Sequence, residues 1–424
     1  MATQTTVPQN LSPEHLMTLY EISGIMNASL EFDDALNNVI DAIMHVTKAQ
    51  RGFLMIADND KDGRLEVLVS RGIDGTTIEQ EGYSTSVANH VVTTREPLLT
   101  NNAQFETRFT PGQSIIMRGL RAILCAPMMV QDRLVGVVYV DTSMRSGTFT
   151  EADRDLLNAV AGQAGRAIEN ARLYRVAVIK GRMERELQMA SEIQRGLLPH
   201  RMPTVSGYEI APRWQAAREV AGDFYDAFTL DDHTFGTVIA DVSDKGAPAA
   251  LFMAVARTLI RSHAYAGVGT KDNIARTNDL ILEDAESGMF VTVYHSLFHD
   301  DGRSLHVNAG HNPPLFYCHA TNEVSFMPRG GRAVGWFPDI PLQEVELQLD
   351  PGDVIVYYTD GLTDAENPEK EFFGEVRLAQ AVLEVAADHS ASEILDRIVA
   401  SVEEFCAGEP PFDDLTMMVV RYTG

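Results

Sequence analysis

The sequence predicts an α+β protein with two folded domains and a helix between them. Three observations predict it. Apolar runs of strand length come in groups and helical patterns in pairs, without the alternation of a doubly wound parallel sheet. A chain of 424 residues is long enough for two or three cores. The stretch 171–199 also breaks the composition, with six basic residues against three acidic ones. The whole chain has 34 Lys and Arg against 60 Asp and Glu, a formal charge of −26.

Residues 1–10 are polar. From Pro13 to about Lys48, apolar residues recur at helical spacing: Leu16, Leu19 and Tyr20, then Leu36, Val39, Ile40 and Ile43. Strand patterns follow at 53–57, 65–69, 122–130 and 134–140, with a turn at Asp60, Asp62 and Gly63 between the first two. Thr150 reads as an N-cap, with Asp153 as the reciprocal acid three residues on. The helix it opens runs towards Leu198, and Pro199 ends it. Two stripes compete within 171–199. One uses Val176, Met183, Leu187, Ala190 and Leu197, with Lys180 and Gln194 in register. The other uses Ile179, Met183, Ala190, Ile193 and Leu197, with Glu186 among them. This suits a short coiled coil joining the domains, or an amphipathic helix packed on its own domain. After Pro203, strands are expected at 236–242, 291–298, 304–308, 354–358 and 415–420. Helices are expected at 248–265, 272–286, 374–387 and 392–406.

Composition removes several function classes. An acidic chain is poorly suited to nonspecific nucleic-acid binding, which needs clustered Lys and Arg. No apolar run approaches the roughly 18–20 residues of a membrane span. The N-terminus lacks the basic-then-apolar pattern of a secretory signal. Cys125, Cys318 and Cys406 lie too far apart for a disulfide framework or a zinc motif, which suits a reducing, cytoplasmic compartment. There is no P-loop, dinucleotide fingerprint, H-E-x-x-H or G-x-S-x-G. His295 and His299 read as ordinary strand residues, because no third metal ligand is near.

What remains is a set of aspartates at the ends of apolar strands: Asp223 and Asp226, Asp241, Asp360, and Asp413 with Asp414. Any one of them could be a turn residue. Several carboxylates gathered from adjacent strand ends would repel one another unless a cation sat between them. Hard oxygen donors without His or Cys select Mg²⁺ or Mn²⁺. Two such ions about 3.5–4 Å apart can activate a water and clamp a phosphoryl group.

Five stretches carry a family resemblance, in the family's order. They are Glu219-Val220-Ala221-Gly222-Asp223-Phe224-Tyr225-Asp226; Ala240-Asp241-Val242-Ser243-Asp244-Lys245-Gly246 with 249–253; Asn308-Ala309-Gly310-His311-Asn312-Pro313-Pro314; Tyr358-Thr359-Asp360-Gly361; and Asp413-Asp414-Leu415-Thr416. Residues 203–422 thereby resemble the PPM-type metal-dependent protein serine/threonine phosphatases of the stage II sporulation protein E class. The resemblance implies two antiparallel sheets packed face to face between helices. It also implies two Mn²⁺ or Mg²⁺ ions held by Asp223, Asp241, Asp360, Asp413 and the Val242 carbonyl, with Asp241 bridging. Asp413 is preferred to Asp414 because the family places its ligand first in that pair. The implied reaction is hydrolysis of phosphoserine or phosphothreonine by a hydroxide bridged between the two metals, without a phosphoenzyme. The implied substrate is a phosphorylated STAS-type anti-sigma-factor antagonist. Two departures stand out: Asp244 and Ala221 occupy positions where the family usually has Gly. Arg218 reads either as a substrate-phosphate contact or as an exposed strand-end arginine. Asn308 and His311 read as a structural turn, with a catalytic role as the alternative. Ser243 stands where some eukaryotic relatives carry a histidine acid.

Residues 15–172 resemble a GAF domain. The resemblance rests on the first helix, Arg51-Gly52-Phe53-Leu54-Met55-Ile56, Leu124-Cys125-Ala126-Pro127-Met128, 134–140 and the helix after Phe149-Thr150. These are fold motifs and name no ligand. The asparagine-lysine element of cyclic-nucleotide-binding members is not seen around Asn101-Asn102. Cys125 reads as a buried strand residue, and His90 lacks the context of an axial ligand. The expectation is a signalling enzyme: a domain at 15–172 that senses a small molecule or dimerises, a helical linker at 173–199, and a phosphatase at 203–422 acting as a homodimer. The alternatives are a non-catalytic scaffold that binds a partner, and an enzyme acting on a small phosphoester.

Overall fold

The computed structural model describes residues 31–58, 64–79, 81–103, 122–143, 148–284 and 288–424, with several positions between 17 and 24. It divides into two units, Met1–Arg182 and Met183–Gly424.

In the first unit, helix α1 (Phe32–Thr47) realises the later half of the expected helical pattern, with Leu36, Val39, Ile40 and Ile43 buried. Further helical residues occur between 17 and 24. Leu16 and the turn at Asp60, Asp62 and Gly63 lie outside the described residues. Strands β1 (Arg51–Asp58), β2 (Arg64–Gly72), β3 (Leu98–Thr100), β4 (Ala122–Val130) and β5 (Arg133–Thr142) form an antiparallel sheet of order β2-β1-β5-β4-β3. Both sheet faces are buried, which is why these strands read as continuous apolar runs rather than alternating ones. Leu54, Leu124, Val138 and Val140 pack with α1 and the first turns of helix α3 (Glu151–Leu197). Phe53, Ile123, Cys125, Val137 and Tyr139 pack on the opposite face with helix α2 (Thr85–Thr94). Each fully buried side chain of this size contributes about 1.5–3 kcal/mol. Thr150 caps α3 as expected: its N–H donates to Asp153 Oδ2 at 2.7 Å, and Asp153 N–H donates to Thr150 Oγ1 at 3.2 Å.

In the second unit, strands β7 (Phe224–Asp231), β8 (Thr234–Val242), β9 (Val291–His299), β10 (Arg303–Ala309) and β13 (Glu344–Gln348) form one antiparallel sheet, of order β13-β10-β9-β8-β7. Strands β6 (Tyr208–Gln215), β11 (Leu315–Cys318), β12 (Glu323–Phe326), β14 (Val354–Tyr358) and β15 (Leu415–Tyr422) form the other, of order β12-β11-β14-β15-β6. The two-residue period assigns the faces. Phe235, Ile239, Tyr294 and Phe298 point inward and meet Ile355, Tyr357, Met418 and Val420 between the sheets. Val238, Ala240, Val291 and Val293 point outward, against helices α4 (Ala247–Tyr265) and α5 (Thr270–Asp284). On the other flank, Val354, Val356, Met417 and Val419 meet helices α7 (Gly374–Val385) and α8 (Ala391–Cys406). A one-turn helix, α6 (Asp360–Thr363), follows β14. The layers are helix, sheet, sheet, helix, as the resemblance implies. Among the described residues, no helix is long and apolar enough to cross a membrane.

Candidate functional site

Strand register brings the aspartates to one end of the two-sheet core. Phe224 pairs with Ala240 across β7 and β8, so Asp223 and Asp241 are the next residues on facing chains. In the other sheet Tyr358 pairs with Met417. Beyond that pair Thr359 N–H donates to Thr416 O at 3.0 Å, which carries Asp360 and Asp413 to the same end. A side-chain bond ties the sheets there: the Thr359 hydroxyl donates to Asp223 Oδ2 at 2.5 Å.

Two glycines let these chains come close. A Cβ on Gly361 would stand 1.9 Å from the Asp414 carbonyl oxygen, and one on Gly222 would stand 3.0 Å from the Val242 carbonyl oxygen. Asp244 has φ 77°, the left-handed conformation that Asp tolerates better than most residues. Its replacement of glycine is therefore accommodated by the backbone. Asp244 is exposed, and its carboxylate accepts from Lys245 N–H at 3.0 Å.

The carboxylates fall into two kinds. Asp414 is used up structurally: Oδ1 accepts Ala217 N–H and Oδ2 accepts Gly222 N–H, both at 2.8 Å. Asp226, three residues after Asp223, lies fully buried in an ion pair with Arg261 at 2.9 Å and Arg257 at 3.1 Å. The remaining four press on one another. Burial, then the Asp241 carboxylate, drives the Asp223 carboxyl well above the usual range. Burial, then Asp360, pushes Asp241 up to about 7. Burial, then Asp413, raises Asp360. Among the described residues one cation touches the group: Lys245 Nζ lies 2.8 Å from Asp413 Oδ2, at the partly exposed rim.

Among the described residues, no three acidic, His or Cys side chains stand close enough together to hold a metal ion as they are placed. The chemistry of the donor set nevertheless fits hard divalent cations. The donors are all oxygen, four of them are carboxylates, and their mutual repulsion is what a cation would relieve. The two carboxylates whose oxygens are already committed, Asp226 and Asp414, are not among the four expected from the sequence.

Other expected residues take these places. Arg218 is exposed on the loop before Asp223. Ser243 Oγ accepts Phe290 N–H at 2.9 Å. Asn308 closes a turn, its Oδ1 accepting His311 N–H at 2.8 Å and its Nδ2 donating to His311 O at 3.0 Å. Burial pushes the His311 imidazole down to about 3, so it is neutral at pH 7. His295 bonds Thr237 O through Nδ1, as an ordinary strand residue does. Cys125 is buried. Sequence reasoning missed Thr359 and Lys245, although both lie inside quoted motifs. It also missed Asp414 as a backbone clamp, which the doubled aspartate could have signalled.

Residues 231–423 match the family described as Stage II sporulation protein E (SpoIIE), and residues 29–169 match the GAF domain. The chain is 35% identical over 264 residues to Protein IcfG of Synechocystis sp., covering 55% of this chain and 41% of that protein. It is 26% identical over 244 residues to Phosphoserine phosphatase RsbU of Bacillus subtilis, covering 57% of this chain and 72% of that one. The chain thus spans less than half the length of the Synechocystis relative. The solved SiaA-PP2C domain of Pseudomonas aeruginosa shares the fold over 58% of this chain and 99% of its own, with a TM-score of 0.51 and 23% identity.

Proposed function

We propose that this chain, a GAF domain joined by α3 to a phosphatase domain of the SpoIIE type, hydrolyses phosphoserine or phosphothreonine on a protein. The observation that carries this reading is the convergence of Asp223, Asp241, Asp360 and Asp413, raised or crowded by one another and, among the described residues, lacking a buried guanidinium partner. Those four carboxylates and the Val242 carbonyl would hold two Mn²⁺ or Mg²⁺ ions. When bound, the ions supply Lewis acidity and an activated water for attack on phosphorus.

The chain's own residues do the rest. Gly222 and Gly361 permit the close approach of the ligand-bearing backbones. Thr359 orients the Asp223 carboxylate and, by donating its proton, favours the charged form. Arg218, exposed on the loop before Asp223, would meet a substrate phosphate. The relatives named phosphoserine phosphatase support a phosphoserine substrate, which in this reading is carried by a STAS-type anti-sigma-factor antagonist.

Control by the GAF domain passes along α3. This helix is continuous over Glu151–Leu197 and leaves Leu173, Val176, Ile179 and Met183 exposed. An exposed apolar stripe of this kind supports pairing with a second copy. The test is hydrolysis of p-nitrophenyl phosphate and of a phosphoserine protein by the full chain with Mn²⁺, with and without a chelator. The expected result is turnover of both substrates that the chelator abolishes. No turnover with either Mn²⁺ or Mg²⁺ would remove the reading.

A further inference from the structure

The last turns of α3 bear on the second unit through a narrow stripe. Ser191, Gln194 and Leu198 are buried, while Met189 and Ile193 beside them stay exposed. At the centre of the stripe is a polar residue. Gln194 is only 3% exposed, and burying an unsatisfied amide would cost about 1–3 kcal/mol. Its nitrogen and its oxygen are each bonded instead, and to one residue. Its Nε2 donates to the Ala221 carbonyl at 2.6 Å, and its Oε1 accepts the Ala221 N–H at 3.0 Å. This is the pair of bonds a neighbouring β-strand would make with Ala221.

Ala221 is two residues before Asp223. Between them, Gly222 is fixed by its N–H to Asp414 and lies against the Val242 carbonyl. The next helix residue grips the other end of the same segment. The Arg195 guanidinium lies 5.8 Å from the centre of the Trp214 ring, and Trp214 Nε1 donates to the Asp223 carbonyl at 3.0 Å. The backbone that presents Asp223 is therefore bonded directly by Gln194 and reached by Arg195 only through Trp214.

We infer that Gln194 is a positioning residue for the metal centre, which fixes the backbone before Asp223 according to the rotation of α3. The inference rests on the phosphatase reading above and adds the contact through which the helix would act. Successive helix residues are about 100° apart. Turning α3 by one position would present Ile193 or Arg195 to Ala221. Ile193 can neither donate nor accept, and Arg195 cannot accept. The contact is thus made in one rotational setting and lost in its neighbours. This gives a physical role to the polar residue that interrupts one of the two stripes in the sequence.

The test is calorimetric titration of the full chain with Mn²⁺, alongside thermal unfolding of the metal-free protein. Gln194→Ala should raise the Mn²⁺ dissociation constant about 10–100-fold, the range typical when an outer partner of a metal ligand is lost. Turnover of p-nitrophenyl phosphate at saturating Mn²⁺ should recover towards wild type. Gln194→Glu keeps the size and the acceptor but loses the donor, so it should fall between wild type and Ala; it serves if Gln194→Ala does not fold. Ser191→Ala, on the same buried stripe, should leave the constant unchanged. A Gln194 variant that unfolds at lower temperature yet binds Mn²⁺ like wild type would reduce Gln194 to a packing residue and overturn the inference. A wild-type chain that takes up no Mn²⁺ would instead overturn the phosphatase reading, and this inference with it.

Discussion

The two units bury carboxylates in opposite ways. In the first, Asp141 is 1% exposed and is met by Arg51, whose Nε and Nη2 reach its two oxygens at 2.9 and 2.5 Å. In the second, Asp223 is nearly as buried, yet the ionisable neighbour that acts on it most strongly is another carboxyl, Asp241. A buried charge with a fitted guanidinium is a structural part, because each partner meets the other's desolvation. A buried charge whose neighbours share its sign stores repulsion that only a proton or a cation can relieve. The second unit contains both solutions within four residues: Asp226 has Arg257 and Arg261, and Asp223 has neither. Partners, rather than burial, separate the scaffold from the site.

That contrast can be broken most forcefully at the site itself. Asp241→Asn or Asp360→Asn should cut hydrolysis of p-nitrophenyl phosphate by more than the roughly 10–100-fold that loss of an outer partner costs. Either variant retaining full turnover would put the site elsewhere. The paired carboxylates should respond through stability instead. Asp226→Asn and Arg51→Met each strand a buried charge, at a cost of about 3–5 kcal/mol in their own unit. The Arg51 variant should leave Mn²⁺ affinity and turnover untouched. Denaturant unfolding and calorimetry measure the two separately.

The repulsion also sets a pH signature. Asp241 titrates near 7 when folded, against an ordinary value of 3.8, so the folded protein holds that proton more tightly than the unfolded chain. Its contribution is complete below about pH 4 and is lost as pH rises through 7. The buried His295, His306 and His311 act in the opposite sense, their pKa values lowered to about 4, 3 and 3. Their contribution is present above 6.5 and fades as acid is added. They are common to wild type and Asp241→Asn, so they cancel in the difference. Without metal, the stability of Asp241→Asn relative to wild type should climb as pH rises from 4, with relief of the Asp223 carboxyl adding in the same direction. A flat difference would mean that Asp241 is not crowded.

The smallest effect belongs to Lys245. Its pair with Asp413 is partly exposed, and such pairs are worth about 0–1 kcal/mol. Lys245→Met removes a cation that competes with the metal for Asp413. It should tighten Mn²⁺ binding by no more than about fivefold. A weakening would give Lys245 a different role.

Legibility in the sequence followed the same division. Strands buried on both faces, such as 122–130 and 354–358, are continuous apolar runs, and their expected bounds match the structure. Two edge strands of the second unit, β6 and β7, were not legible, although the edge strand β2 of the first unit was expected at 65–69. β6 ends its sheet and carries Pro212, which lacks the N–H an interior strand needs. β7 ends the other sheet, and its apolar run is broken by Asp226. The four convergent aspartates could be picked out because strand ends and a family motif both marked them. Which of Asp413 and Asp414 faced the cluster was open to the resemblance alone. The structure adds a physical reason, since both Asp414 oxygens are taken by backbone N–H groups. Gln194 was visible only as a flaw in a stripe, because its partner, Ala221, is 27 residues away.

The central claim is that four like-charged side chains from two sheets form one cation site. Anomalous diffraction from crystals soaked in Mn²⁺ tests it most directly. Two peaks bounded by Asp223, Asp241, Asp360 and Asp413 are expected, with Asp226 and Asp414 still on their present partners. Density that leaves those four side chains bare, or that sits on Asp226 or Asp414, would contradict the account.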